Sequence, residues 1–367
     1  MSFKLRVYNV VTHNELELKL YERVTRFLRE VKYRGIRSRR GIDIFERVLY
    51  IFPNNIKVVN YPRSTPLVAF NPGAIVKDGC LLVFPRLIFD YYWYISSIGL
   101  FVLELKELLG KYNSYANKTY YTKIVLYPVE KWELVGCEDA RVILFNNNYH
   151  ILYVAREITS LEGHYRSLQG YAILDEKLNV ISRKFFKIVH NGESYIPPAW
   201  RDSAFLEISV KRASLLTRPS IPSSNGLIEI GWWGEVDLDT GNIELESLKP
   251  ILPTEKWEFK VGFSTNTVKI SSNEYLIGWH GVAEDYIYRN GVLVVSRDGE
   301  LLGITDYILE PKGLVEAYGD RPGVIFGNGL ILYKDYLYWI GGISDYAIGI
   351  FRVHIDKLFE SIKWIKG

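Results

Sequence analysis

From about residue 45 onward, the chain is a succession of short apolar runs, each ended by a turn sequence. The runs include VLYIF, IKVVNY and CLLVFPRLIF, and the turns include Asn71-Pro72-Gly73, Asn146-Asn147-Asn148 and Arg297-Asp298-Gly299. Short strands joined by tight turns, without a regular alternation of strand and helix, are typical of antiparallel sheets. Over about 300 residues this pattern favours an all-β propeller over a parallel α/β fold, with a two-sheet sandwich as the alternative.

The N-terminal residues follow a different pattern. Residues 14–32 carry apolar side chains at roughly helical spacing between Arg and Glu, which predicts an amphipathic helix; these side chains are Leu16, Leu18, Leu20, Val24, Phe27 and Leu28. A basic run, KYRGIRSRR at 32–40, follows. It favours an exposed surface or an oligomer contact, with a nucleic-acid or phosphate patch as the alternative. We therefore expect residues 1–45 to form a helical extension, which makes a homo-oligomer possible, and residues 46–367 to form the propeller.

The composition fits a folded protein with a large core. Hydrophobic residues make up 48% of the chain and charged residues 24%, and the net charge of +3 is too small to argue for nucleic-acid binding. The two cysteines, Cys80 and Cys137, indicate neither a disulfide framework nor a metal site of the CxxC kind. The sequence has no signal-peptide pattern and no apolar run long enough to cross a bilayer, so we expect a soluble cytoplasmic protein without a membrane partner.

Aromatic residues are abundant, with 27 Tyr, 17 Phe and 9 Trp. Aromatic side chains pack well on pleated sheets, so many strands explain part of this content. A carbohydrate-binding cleft would explain another part, because sugar rings present apolar faces that stack on aromatic rings.

Polar clusters lie where predicted strands begin or end. In GCEDAR at 136–141, two acids and an arginine precede a β-type run. Successive side chains of an extended strand point to opposite faces, so Glu138 and Asp139 should not both point the same way. In a propeller the inner strands of all blades converge on one axial mouth. A pocket there would collect carboxylates, a histidine and several arginines, although each residue alone is also explained by a salt bridge, a turn or a backbone contact.

These clusters resemble the motifs of glycoside hydrolase family 130, the β-mannoside phosphorylases. The family's G-x-E-D-P-R is similar to GCEDAR, with Ala140 in place of proline. The other similar segments, in the family's order, are NPGAI at 71–75 followed by Arg86, RDSAF at 201–205, WHG at 279–281 with YRNG at 288–291, and WIGGISD at 339–345. The resemblance implies a five-bladed β-propeller as the catalytic domain, over residues 46–367.

The resemblance also implies an activity and a set of roles. It implies inverting phosphorolysis of β-mannosides (manno-oligosaccharides), in which inorganic phosphate is a co-substrate and the product is α-mannose 1-phosphate. Asp139 falls on the family's general acid, and no metal or other cofactor is expected. The residues implied to bind the sugar are Asn71, Arg86, Glu138, Arg141, Asp202, His280 and Asp345. Those implied to hold phosphate are Arg86, Arg166, Arg201 and Arg218.

The sequence departs from the family at two positions that bear on phosphate. The family's S-R-I-G-L appears as Ser96-Ser97-Ile98-Gly99-Leu100, and its H-R-P appears as Thr217-Arg218-Pro219. A reduced phosphate site would suit a hydrolase on the same scaffold, in which a glutamate activates water. The candidates for that base are Glu207, Glu229, Glu258 and Glu284. A propeller that binds carbohydrate without catalysis is the remaining alternative.

Overall fold

The computed structural model describes residues 15–110, 114–160 and 164–365. Its helices are α1 (Glu15–Glu30), α2 (Gly313–Ala317) and α3 (Ile355–Ser361), with 3-10 turns at Pro53–Asn55, Leu105–Leu109, Lys131–Glu133 and Leu245–Ser247. In chain order, the strands before residue 196 are β1 (Glu46–Ile51), β2 (Ile56–Val58), β3 (Val68–Lys77), β4 (Cys80–Ile88), β5 (Ser96–Glu104), β6 (Ser114–Tyr115), β7 (Tyr120–Leu126), β8 (Gly136–Phe145), β9 (Asn148–Ile158), β10 (Tyr165–Leu174), β11 (Val180–Phe185), β12 (Lys187–His190) and β13 (Glu193–Tyr195).

The later strands complete the chain. They are β14 (Trp200–Ile208), β15 (Arg212–Pro219), β16 (Ile221–Ser223), β17 (Gly226–Ile228), β18 (Gly231–Asp237), β19 (Asn242–Glu244), β20 (Lys249–Leu252), β21 (Glu258–Lys269), β22 (Glu274–Ala283), β23 (Tyr288–Ser296), β24 (Leu301–Ile304), β25 (Ile325–Tyr333), β26 (Tyr336–Ile343), β27 (Ala347–His354) and β28 (Lys363–Trp364).

Antiparallel pairing groups these strands into five blades. The first three blades are β3-β4-β5-β7, β8-β9-β10-β11 and β14-β15-β18-β19. The fourth is β21-β22-β23-β24, and the fifth is β25-β26-β27-β1. The first strands of the blades, β3, β8, β14, β21 and β25, contact one another in a closed cycle. The prediction of an all-β, five-bladed propeller with an N-terminal helical extension is confirmed.

The burial of the strands explains how they read in the sequence. β4 is buried along all but its first residue, because its blade packs between neighbouring blades. A strand buried on both faces gives a continuous apolar run rather than an alternating one. The segment VLELKELLGKY, predicted as a short helix or an irregular edge, contains the 3-10 turn Leu105–Leu109.

Helix α1 packs on the third blade. Leu16, Leu20 and Val24 are buried and share a core cluster with Trp200 and Trp232. Leu18 was expected on the same face, but its side chain is 43% exposed. Two residues along a helix correspond to a rotation of about 200°, which turns Leu18 away from Leu16.

The segment after α1 is held in part by a buried arginine of the basic run. Arg37 is buried, pairs with Glu258 and lies over the Trp279 ring, 4.7 Å from its centroid. Arg39 forms an exposed pair with Glu284. The division of the chain at residue 45 stays a prediction. Within the described ranges, no helix has the length and apolar character needed to span a bilayer.

We predict that Leu20→Ala destabilises the protein by about 2–5 kcal/mol, because it leaves a cavity beneath α1. Leu18→Ala, on the exposed face of the same helix, should change the free energy of unfolding by no more than about 0.5 kcal/mol. Denaturant unfolding of both variants measures the difference. Equal effects would contradict the packing of α1 on the third blade.

Candidate active site

Three inner strands are interrupted by a left-handed residue near their starts. Asn71 in β3, Asp139 in β8 and Asp202 in β14 have φ angles of 44°, 57° and 58°. The pairing register shifts at each of these positions, which marks a β-bulge or irregularity. Asn and Asp tolerate this backbone conformation better than most side chains, and bulges re-aim side chains next to active sites. The same local device therefore acts in three blades.

The bulge in β8 overturns the expectation that Glu138 and Asp139 point in opposite directions. Arg86 Nη2 donates to Glu138 Oε1 at 2.9 Å, and Arg86 Nη1 lies 3.5 Å from Asp139 Oδ1. The alternation of side chains holds only in extended backbone, and Asp139 is not extended. Both carboxylates consequently contact one guanidinium.

The starts of the inner strands surround a cavity of about 80 Å³. Eight of the residues expected in the site line it: Asn71, Arg86, Asp139, Arg201, Asp202, Arg218, His280 and Asp345. Glu138 and Arg141 adjoin it, since Glu138 binds Arg86 and Arg141 Nη2 lies 3.4 Å from Asp202 Oδ1. A larger cavity of about 420 Å³ lies where the inner strands end, but among the described residues its charged lining consists of Arg141 and Lys269. The smaller cavity is therefore the candidate site.

Asp139 is held on one side and free on the other. Asn71 Nδ2 donates to Asp139 Oδ1 at 3.0 Å, and Arg141 Nη1 donates to the Asp139 carbonyl at 2.9 Å. Arg86 also approaches Oδ1. Among the described residues, no donor contacts Oδ2, and the side chain is 13% exposed. Asp139 Oδ2 is therefore available to a molecule bound in the cavity.

Asp202 is a buried carboxylate held by cations. Arg218 Nε donates to Asp202 Oδ2 at 2.6 Å, and Arg218 also pairs with Glu229. Burial would raise the pKa of Asp202, but the charges of Arg218 and Arg141 outweigh burial and lower it well below its usual range. The Asp202 carboxyl is consequently ionised, and it orients its neighbours rather than supplying a proton.

Two further lining residues have shifted pKa values. Burial lowers the pKa of His280 to about 3, and its Nδ1 lies 3.0 Å from Ser264 Oγ. The His280 ring also stacks on Tyr288, with 5.4 Å between the ring centroids. Because its pKa is lowered, His280 acts as a neutral hydrogen-bonding group. Burial raises the pKa of Asp345 to about 6, against the opposing effect of Arg86 and other cations.

Three cations of the cavity have no carboxylate within ion-pair distance in the part of the chain that the structure describes. Arg201 donates to Ser167 Oγ at 2.7 Å. Lys260 and Arg321 lie over the Tyr288 ring, 5.1 Å and 4.8 Å from its centroid. The lining has five cationic and three anionic side chains. Cations left unpaired in a cavity favour binding of an anion.

Arg166 does not enter the cavity. Its Nε and Nη2 donate to Glu157 Oε2 at 2.9 and 2.6 Å. The register of β9 and β10 places Arg166 opposite Glu157, and Ser167 opposite Arg156. Because side chains alternate along a strand, it is Ser167 that reaches Arg201. Arg156, which sequence reasoning missed, approaches Glu138 instead, with Nη1 3.4 Å from Oε1.

Other lining residues also went unassigned. Lys260 lies near the start of inner strand β21, as Asn71 does in β3, so its position in a blade was a usable signal. Tyr288 follows from the YRNG segment at the start of β23. Arg321 and Val324 lie outside the named strands, and Phe326 sits in an apolar run, so no sequence pattern pointed to them.

A family model described as beta-1,4-mannooligosaccharide phosphorylase, glycoside hydrolase 130, matches residues 36–364. The chain belongs to glycoside hydrolase family 130. A beta-1,2-mannobiose phosphorylase from Listeria innocua is 23% identical over 244 residues, which cover 66% of this chain and 64% of that protein. Another from Thermoanaerobacter sp. is 24% identical over 276 residues, covering 73% of this chain and 80% of that protein.

The fold agrees with that of the family. The solved structure of the Listeria innocua beta-1,2-mannobiose phosphorylase in complex with beta-1,2-mannobiose superposes with a TM-score of 0.66. The superposition covers 86% of this chain and 98% of that one at 18% identity. The two proteins therefore share the propeller fold.

The glutamates considered as a hydrolytic base lie in different places. Glu258 is buried against Arg37, and Glu284 pairs with Arg39 on the surface. Glu207 pairs with Lys269 and Arg297, away from the lining residues. Glu229 alone of the four contacts a lining side chain, Arg218, and it also accepts a hydrogen bond from Ser220 at 3.1 Å.

We predict that His280 makes stability depend on pH. Its pKa is lowered from 6.5 to about 3, so the unfolded chain binds more protons at this residue between those values. The contribution is full above pH 6.5 and is lost as the pH falls toward about 3. In this window, His280→Gln should reduce the slope of unfolding free energy against pH by up to about 1.4 kcal/mol per pH unit.

Denaturant unfolding at several pH values measures these slopes. If the slope for His280→Gln equals that of the unchanged protein, the pKa of His280 is not lowered in the folded state.

Proposed function

We propose that the chain is an inverting glycoside phosphorylase that cleaves β-mannosides with inorganic phosphate and releases α-mannose 1-phosphate. The observation that carries the proposal is the cavity itself. It brings together the carboxyl group of Asp139, whose Oδ2 has no donor among the described residues, and three cations that lack a carboxylate partner in the same part of the chain. An acid and an anion site in one cavity are what phosphorolysis requires.

The acid acts on the leaving group. Asp139 Oδ2 gives its proton, through a hydroxyl of the bound mannosyl unit, to the glycosidic oxygen as the bond from the anomeric carbon to that oxygen breaks. Asn71 and Arg86 keep Oδ1 occupied, so the proton stays on the other oxygen. A positioned general acid contributes about 10²- to 10⁴-fold to a rate.

Phosphate acts on the opposite face of the sugar ring. One of its oxygens forms a bond to the anomeric carbon as the leaving sugar departs, and the configuration inverts. Phosphate is already an anion, so it needs cations to hold it rather than a protein base. Arg201, Lys260 and Arg321 supply that charge, with Arg218 in the same lining, and planar guanidinium groups match phosphate oxygens in pairs.

The two departures from the family pattern lie outside the cavity lining. Ser97 Oγ lies 3.5 Å from the Leu87 carbonyl. Thr217 Oγ1 accepts from Trp200 Nε1 at 2.6 Å and contacts Ser203 Oγ. Five cationic lining residues remain without them. This supports phosphorolysis over hydrolysis, which a site depleted of phosphate ligands would suit.

A β-mannoside hydrolase on the same scaffold is the second candidate function. The observation that favours it is the contact of Glu229 with Arg218, which puts a carboxylate beside the proposed phosphate site. In that case free mannose would form in buffer without phosphate, and Glu229→Gln would abolish its release.

We predict that Asp139→Asn lowers phosphate-dependent release of α-mannose 1-phosphate by about 10²- to 10⁴-fold, because the amide cannot donate the acid's proton. The assay uses β-1,2- and β-1,4-linked manno-oligosaccharides, and thermal unfolding confirms that the variant is folded. Full activity in the variant would remove Asp139 from the mechanism.

We predict that Arg201→Gln raises KM for phosphate by about 10- to 100-fold, in line with the loss of one charge-assisted hydrogen bond. The matched control is Arg166→Gln, since Arg166 is paired with Glu157 outside the cavity. Its KM for phosphate should change less than about twofold. The reverse ranking would place phosphate at Arg166.

A further inference from the structure

The loop between β4 and β5, residues 89–95, presents an exposed aromatic cluster. Its sequence is FDYYWYI, and the side chains of Tyr91, Tyr92 and Trp93 are 56%, 88% and 52% exposed. The Tyr92 and Trp93 rings meet edge to face at 5.4 Å. Because these three aromatic side chains bury little apolar surface in the folded chain, they suit the binding of a ligand rather than packing in the core.

The loop is fixed to the wall of the cavity. The Trp93 backbone N–H donates to Asp90 Oδ1 at 3.0 Å, and Tyr94 has a φ of 55°. The Tyr94 ring lies 5.8 Å from the Arg86 guanidinium, and its hydroxyl donates to Asp320 Oδ2 at 3.3 Å. A left-handed backbone at a bulky residue is costly, and it persists only where surrounding contacts impose it.

Aromatic rings lead outward from the proposed acid. Arg86 contacts Asp139, Tyr94 lies over Arg86, and Tyr91 stacks on Tyr94 at 6.2 Å with 25° between the rings. The exposed rings of Tyr92 and Trp93 follow in the same loop. The aromatic residues of this loop therefore include a ring that contacts the lining residue Arg86 and rings that are exposed at the surface.

Only the sugar unit whose bond is cleaved has to reach Asp139. Sugar units beyond the one that is cleaved must lie across the rim of the cavity. The aromatic loop adjoins the cavity lining through Tyr94, whose ring lies 5.8 Å from the Arg86 guanidinium.

We propose that Tyr91, Tyr92 and Trp93 form a stacking platform for the distal sugar units, so that the preferred substrate is a manno-oligosaccharide longer than a disaccharide. This inference rests on the proposed function. The apolar C–H face of a pyranose ring packs on an aromatic face, and Tyr and Trp offer large contact areas with little conformational entropy to lose. The platform supplies binding energy away from the reacting bond.

A membrane surface is the other occupant that exposed Tyr and Trp would suit. Residues 89–95 contain no Lys or Arg, and the carboxylates of Asp90 and Asp320 flank the rings. Anionic lipid head groups attract basic surfaces. The charge of this loop therefore favours a neutral sugar.

The test measures how activity depends on substrate length. The ratio of kcat/KM for mannotetraose to kcat/KM for mannobiose is determined with β-1,2- and β-1,4-linked substrates. We predict that Trp93→Ala and Tyr92→Ala each lower this ratio by about 5- to 10-fold, as expected for the loss of one aromatic contact. Tyr121→Ala is the matched control, since Tyr121 is 67% exposed on β7, and it should leave the ratio unchanged.

A binding measurement separates this inference from the proposed function. Calorimetric titration of mannotetraose without phosphate should give a Kd about 5- to 10-fold higher in Trp93→Ala than in Tyr121→Ala. If neither the ratio nor this Kd changes, the platform is wrong although phosphorolysis stands. If Trp93→Ala weakens binding but no variant or parent releases α-mannose 1-phosphate, the platform stands and the proposed function fails. Sedimentation with phosphatidylglycerol vesicles that requires Trp93, without any effect on mannotetraose, would overturn the sugar platform.

Discussion

The left-handed backbone at Asn71, Asp139 and Asp202 is the constraint on which the candidate site depends. In extended strands, side chains point alternately to the two faces of a blade, and each face packs against a neighbouring blade. At the bulges the alternation breaks, and polar side chains turn to the shared mouth while the strands on either side keep their apolar contacts. The propeller brings five inner strands together at one mouth, and the bulges determine which side chains face it.

Charge balance then determines what the cavity can hold. Carboxylates buried in this region are matched by cations, with Asp202 bound by Arg218 and Glu138 bound by Arg86. Pairing of this kind is needed because an isolated buried charge is very costly. The lining has five cations and three acids, and Arg201, Lys260 and Arg321 have no carboxylate within ion-pair distance among the described residues. A bound anion would neutralise this excess positive charge.

Sequence reasoning reached the fold class and most of the lining, because turn residues and motif order are local properties. It failed where the outcome depended on three-dimensional pairing. Arg166 and Arg156 look equivalent in the sequence, and only the register of β9 with β10 separates them. Arg321 lies outside the named strands, so no periodicity marks it. Glu138 and Asp139 were set apart by a rule that holds only for extended backbone.

The last blade has a consequence for how the protein is made. Its outer strand β1 comes from the beginning of the chain, and Glu46 pairs with Arg352. On the ribosome, β1 emerges early and must wait for β27 before its edge is covered. Until then the ring of blades is open, and the residues that line the cavity are not yet held together. Such long-range pairing slows folding, and the ring of blades can close only once β27 has been synthesised.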